Sequence, residues 1–138
     1  MRYIDASALV KLYLDEPGSE SLGSEVTGRT DVVLSDLSIT ECVSALARRV
    51  REGTAPPEFV SRLYHAILDH LEAGRFERLD FTPEVHREAE RLMLAGLPLR
   101  AGDSLHLASA TLAGAEAMIT FDRQLAAAAR TLGMEVVP

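Results

Sequence analysis

The sequence predicts an α/β fold, a three-layer α/β/α sandwich around a mostly parallel sheet of about five strands. Three observations carry this expectation. Short apolar runs of strand length alternate with longer segments of helical periodicity from one end of the chain to the other. Polar residues, Gly or Pro punctuate nearly every junction. No hairpin-type connection joins two strand-like runs, and parallel neighbours need helical crossovers, which are right-handed almost without exception. At 138 residues the chain reads as one domain spanning 1–138, long enough to bury roughly two-thirds of the surface its unfolded form exposes.

Each element follows from its residues. Residues 2–5 form a first strand, and Ser7 stands at the entry of a helix carrying Ala8-Leu9-Val10 and Leu12-Tyr13-Leu14, which Pro17-Gly18 ends. A short helix over 19–26 precedes a buried strand at 31–35. From Ser38 to Arg51 the apolar positions Ile39, Cys42, Val43, Leu46 and Val50 keep helical spacing up to Gly53. Pro56-Pro57 opens the next helix, with Phe59, Val60, Leu63, Ile67 and Leu71 on one stripe before Gly74. A strand candidate at 76–81 leads to Thr82-Pro83-Glu84, an N-cap order, and a helix reaching Gly96. Helix 103–113, strand 117–120, helix 123–132 and strand 134–137 complete the order.

Composition narrows the function classes. With 47% hydrophobic, 25% charged and 5% aromatic residues, the chain has the balance of a soluble globular protein. Its one Cys excludes an internal disulfide and two-Cys zinc chemistry, which points to a reducing, cytoplasmic setting. No stretch approaches the ~18 apolar residues of a membrane span, so neither a signal peptide nor a membrane anchor is expected. The 21 acidic and 14 basic residues give a net charge of −7, which excludes a whole-surface grip on nucleic acid. Any polyanion must be met by a local patch or through metal ions.

In an open α/β sheet the site lies at the carboxyl edge of the strands. Four acids follow or neighbour strand ends: Asp5 in Tyr3-Ile4-Asp5-Ala6-Ser7, Glu41 in the first turn of the helix after the second strand, Asp103 in Arg100-Ala101-Gly102-Asp103, and Asp122 in Ile119-Thr120-Phe121-Asp122. Each has a plainer account. Asp103 and Asp122 fit helix N-caps, and Ser38-Ile39-Thr40-Glu41 fits a capping box. Asp5 resists such an account, because Asp is a poor strand residue and Ile4, Ala6 and Ala8 place it in an interior setting. Gathered at one sheet edge, the four would repel unless protonated or bridged by cations. Oxygen-only donors suit Mg²⁺ or Mn²⁺, and such a centre activates water for phosphodiester displacement. Ser7 and Thr120, each two residues from an acid, can orient ligands or water, or simply satisfy helix and strand ends.

These residues resemble the PIN domain and, within it, the VapC-type ribonuclease toxins. The matching segments are 3–9, 39–45, 99–108 and 119–122, in order and over nearly the whole chain. The resemblance implies a metal-dependent endoribonuclease with Asp5, Glu41, Asp103 and Asp122 around Mg²⁺ or Mn²⁺, giving 5′-phosphate and 3′-hydroxyl ends. It implies further an RNA substrate, a homodimer, and a cognate VapB-type antitoxin whose C-terminal segment covers the site. Asp36 matches no family position and reads as a turn or cap residue.

Around this set, His106 reads as a packed or capping imidazole, and Cys42 as a small buried residue. Arg48 lies two turns from Glu41 on roughly the same face and, with Arg49, is a candidate contact for RNA phosphate; a basic helix C-terminus complementing the dipole is the equal alternative. A receiver-like Mg²⁺-binding signalling domain and a DNA-processing flap-type nuclease stay open beside the ribonuclease. The first would want paired acids after strand one and a late Lys, whereas Lys11 is the only Lys; the second would want an insertion for a DNA clamp.

Overall fold

The computed structural model describes residues 1–138. All five strands are parallel, in the order β3-β2-β1-β4-β5. Strand β1 (Arg2–Ile4) is followed by helices α1 (Ala6–Tyr13) and α2 (Ser19–Val26), then β2 (Val32–Ser35). Helices α3 (Asp36–Arg51) and α4 (Pro57–Glu72) lead to β3 (Glu77–Leu79). The chain then crosses through α5 (Pro83–Leu94) and α6 (Ala101–Leu112) to β4 (Ala117–Ile119), and closes with α7 (Arg123–Thr131) and β5 (Glu135–Val137).

Right-handed crossovers explain the layering. The steps β1 to β2 and β2 to β3 run in one direction across the sheet, so α1–α4 cover one face. The return from β3 to β4 and the step to β5 run in the other, so α5–α7 cover the opposite face. Strand side chains alternate accordingly. Ile4, Val32, Leu34, Ile119 and Val137 join the core beneath α1–α4, while Tyr3, Val33 and Met118 join the core beneath α5–α7. Winding reverses between β1 and β4, the switch point at which an open α/β sheet has its crevice, and the helices that follow the two strands lie on opposite faces. The order also separates this sheet from the receiver type, in which β1 lies between β2 and β3.

Several helix starts differ from the sequence expectation. Helix α1 begins at Ala6 with Asp5 as its cap, the carboxylate accepting from the Ala8 amide, so Ser7 lies inside the first turn. Helix α3 begins at Asp36 because the Ser35 hydroxyl caps it; Ser38 is already helical and the capping box with Glu41 does not form. Asp36 is no turn residue either. Its carboxylate takes Arg78 Nε at 2.6 Å and the Phe81 amide at 3.2 Å, tying α3 to the far side of β3. Thr82 holds the cap position of α5 without a side-chain cap bond. No helix is long and apolar enough to cross a membrane.

Candidate active site

Asp5 leaves the end of β1 directly into the crevice, only 3% exposed. Its oxygens accept from local donors: the single Ser7 hydroxyl, 2.8 Å from Oδ1 and 2.9 Å from Oδ2, the Ala8 amide at 2.9 Å, and Thr120 Oγ1 at 2.7 Å to Oδ2. Both hydroxyls also accept from the segment leaving β4. The Phe121 amide donates to Ser7 Oγ at 2.9 Å, and the Asp122 amide donates to Thr120 Oγ1 at 3.0 Å. Ser7 and Thr120 therefore stitch the ends of β1 and β4 together across Asp5. Burial raises the Asp5 pKa, opposed by the Ala8 amide, the facing His106 and the two hydroxyls.

Asp122 is the N-cap of α7, as its sequence position suggests. Both cap bonds fall on Oδ1, from the amides of Gln124 at 2.8 Å and Leu125 at 2.9 Å, so Oδ2 remains for another partner. Asp103 is not a cap: α6 begins at Ala101 with Arg100 in the cap position, and Asp103 lies within the first turn. Its pKa is raised by burial, then by the charge of Asp122, with Glu41 adding to the effect and His106 and Arg100 opposing it. Asp103, Asp122 and Glu41 thus share one electrostatic neighbourhood, which meets Asp5 at His106.

Glu41 sits in the second turn of α3 rather than the first. Its Oε2 accepts from His106 Nε2 at 2.9 Å. Its Oε1 lies against the start of α6, where a Cβ built on Gly102 would stand 3.1 Å away. Any larger residue at 102 would make Glu41 Oε1 give way by a few tenths of an ångström. His106 is buried as expected, but its ring also connects Glu41 to the interior through Tyr3, whose hydroxyl lies 2.8 Å from Nδ1. Sequence reasoning passed over Tyr3 altogether. The available signal was a tyrosine two residues before Asp5, on the same face of the strand by its period of two, with a polar group that must find a partner in the core.

As the side chains stand, no three His, Cys, Asp or Glu side chains come together closely enough to grip one ion. Dedicated all-protein cages suit calcium; a Mg²⁺-sized ion keeps several waters and takes one or two carboxylates. The donor chemistry of this edge, oxygen-only and strongly anionic, fits the latter. Arg48 has 67% of its side chain exposed and approaches Glu52 at 4.0 Å, and with Arg51, Ser44 and Glu41 it lines a shallow depression beside the acids. Arg49 is turned elsewhere, its guanidinium bonded to Glu16.

A parallel sheet in this order with acids at the reversal of its winding defines a class, and residues 2–131 match the family model of the PIN domain, so the chain belongs to the PIN domain family. It is 33% identical over 141 residues to ribonuclease VapC46 of Mycobacterium tuberculosis, covering 98% of this chain and 95% of that one. Among solved structures it is similar to VapC20 of M. tuberculosis, described as a sarcin–ricin loop cleaving toxin, with a TM-score of 0.74 at 14% identity over 93% of this chain and 95% of the other. A toxin–antitoxin complex from Klebsiella pneumoniae gives a TM-score of 0.70 at 14% identity, covering 100% and 97%.

Proposed function

We propose that this chain is a Mg²⁺- or Mn²⁺-dependent endoribonuclease toxin, held in check by a cognate antitoxin protein. The observation that carries the reading is the acidic character of this sheet edge: burial raises the pKa of Asp5, and burial with the charges of Asp122 and Glu41 raises that of Asp103. A cluster held against its own repulsion has the character of a cation site. The VapC46 name supports RNA as substrate, and the toxin–antitoxin complex of the same fold supports a protein inhibitor.

One or two of the four carboxylates would hold the ion directly and the others would meet it through its waters, with Asp5 kept in one rotamer by Ser7 and Thr120. When bound, the ion supplies charge stabilisation at the scissile phosphate and lowers the pKa of attacking water. The remaining work belongs to the protein. A carboxylate at the edge accepts the proton of the incoming water; the water oxygen joins phosphorus, the bond to the 3′-oxygen breaks, and that oxygen takes a proton from solvent, leaving a 5′-phosphate and a 3′-hydroxyl. Arg48, held only by its exposed 4.0 Å pair with Glu52, is positioned for a neighbouring phosphate.

Incubation of the purified protein with labelled RNA and DNA in Mn²⁺, and again after EDTA, tests this directly. RNA is expected to be cut and DNA spared, with cleavage abolished by chelation; chelator-insensitive cutting overturns metal dependence, and cutting of DNA favours the DNA-processing alternative.

A further inference from the structure

Beneath the acids lies a connected set of buried polar groups: Tyr3, Ser35, Ser38 and His106, each at most 2% exposed. It begins between β1 and β2 and ends on the half-exposed Glu41. Tyr3 Oη lies 2.7 Å from Ser35 Oγ, 3.3 Å from Ser38 Oγ and 2.8 Å from His106 Nδ1. Ser38 Oγ donates to the Ile4 carbonyl at 3.0 Å, so its one hydrogen is committed there. No buried side-chain polar atom in the molecule lacks a partner.

Donor and acceptor arithmetic fixes the directions. An ionised Glu41 only accepts, so His106 Nε2 carries the hydrogen. When the imidazole is neutral, Nδ1 is then an acceptor, and the one hydroxyl that can serve it is Tyr3. The Tyr3 oxygen in turn accepts from Ser35, since Ser38 has spent its hydrogen. We propose that Tyr3 and His106 form a positioning pair for Glu41: the Tyr3 hydroxyl donates to His106 Nδ1, which keeps the imidazole hydrogen on Nε2 and aims it at Glu41 Oε2, leaving Oε1 for the ion.

Glu41 needs such a hold. It reaches in from another helix on a flexible side chain that is 42% exposed, and an unanchored glutamate there would spend its time in solvent. The start of α6 at Gly102 confines Oε1 from the other side. The pair deepens the proposed function, because it matters to the reaction only if Glu41 is a ligand; the tautomer itself does not depend on that.

Long-range ¹H–¹⁵N spectra of the imidazole ring in the full chain read the tautomer without reference to activity. The wild type is expected to carry its hydrogen on Nε2 in metal-free buffer, and Tyr3→Phe to give a mixture of tautomers. Mn²⁺ binding, followed by water-proton relaxation, is expected to weaken about 10- to 100-fold in His106→Phe, the usual cost of losing a partner behind a metal ligand, and less in Tyr3→Phe. His106→Gln, whose amide can still donate to Glu41, should recover most of the affinity. A wild-type ring with its hydrogen on Nδ1, or a folded His106→Phe protein that binds Mn²⁺ as the wild type does, overturns the pair. A wild type that binds Mn²⁺ yet cuts no RNA sinks the nuclease reading and leaves the pair standing. If no Mn²⁺ binds at all, the metal reading fails and the tautomer alone decides.

Discussion

Asp5 joins stability and function in opposition. Its pKa is raised by burial, so the protonated carboxyl favours the fold: that contribution is present below the unfolded carboxylate value of about 3.9 and is lost as pH rises through the higher folded value. Asp5→Asn, which cannot ionise, is therefore expected to be more stable than the wild type in metal-free buffer, with the gap in urea midpoints widening from about pH 4 to about pH 8. The same variant should lose RNA cleavage by two orders of magnitude or more. Retained cleavage would remove Asp5 from the site, and a gap that narrows with pH would contradict the burial argument. Thr120→Val tests the stitch: losing a buried hydroxyl that donates to Asp5 and accepts from the Asp122 amide should cost about 1–3 kcal/mol in denaturant melts.

Among the elements, the turn between α1 and α2 shows how a distant segment bears on the site. Gly18 has φ +96°, and a Cβ there would stand 2.7 Å from Phe121 Cε1, while Lys11 Nζ lies 5.0 Å from the centroid of the same ring. Phe121 immediately precedes Asp122, so the turn packs on the segment that carries an acid of the site. Gly18→Ala should destabilise the fold by about 1–3 kcal/mol, from left-handed backbone strain and the clash together. An unchanged urea midpoint would show that Phe121 moves aside freely. Helix α3 carries a different lesson. Its sequence offers Ser35 and Ser38 as alternative starts, three residues apart, and local rules favour the one with a glutamate three positions on. The fold chooses Ser35, because Ser38 is drawn to the Ile4 carbonyl and Glu41 to His106, partners distant in sequence.

Across the whole molecule, a net charge of −7 leaves RNA binding to a few local cations and the metal site. The two arginines that share a helix should separate cleanly. Arg48→Ala is expected to weaken RNA binding several-fold and flatten its salt dependence by about one unit of slope. Conversion of Arg49, bonded to Glu16 in the turn between α1 and α2, to Ala should instead cost up to about 1 kcal/mol of stability and leave RNA affinity nearly unchanged. Equal effects on binding would mean that the Glu16 pair opens to substrate.

The alternation of strands and helices, the parallel sheet and the membership of Asp5, Asp103 and Asp122 in strand-end or helix-start segments were legible from the residues alone, because hydrophobic period and cap chemistry are local properties. What those properties leave open is which strand lies beside which. Only the folded sheet, with β1 between β2 and β4, makes neighbours of Asp5 and Thr120, 115 positions apart, and of Glu41 and His106, 65 apart. Hydrogen-bond partners for a buried tyrosine, histidine or glutamate are settled by three-dimensional proximity, and no period in the sequence encodes it.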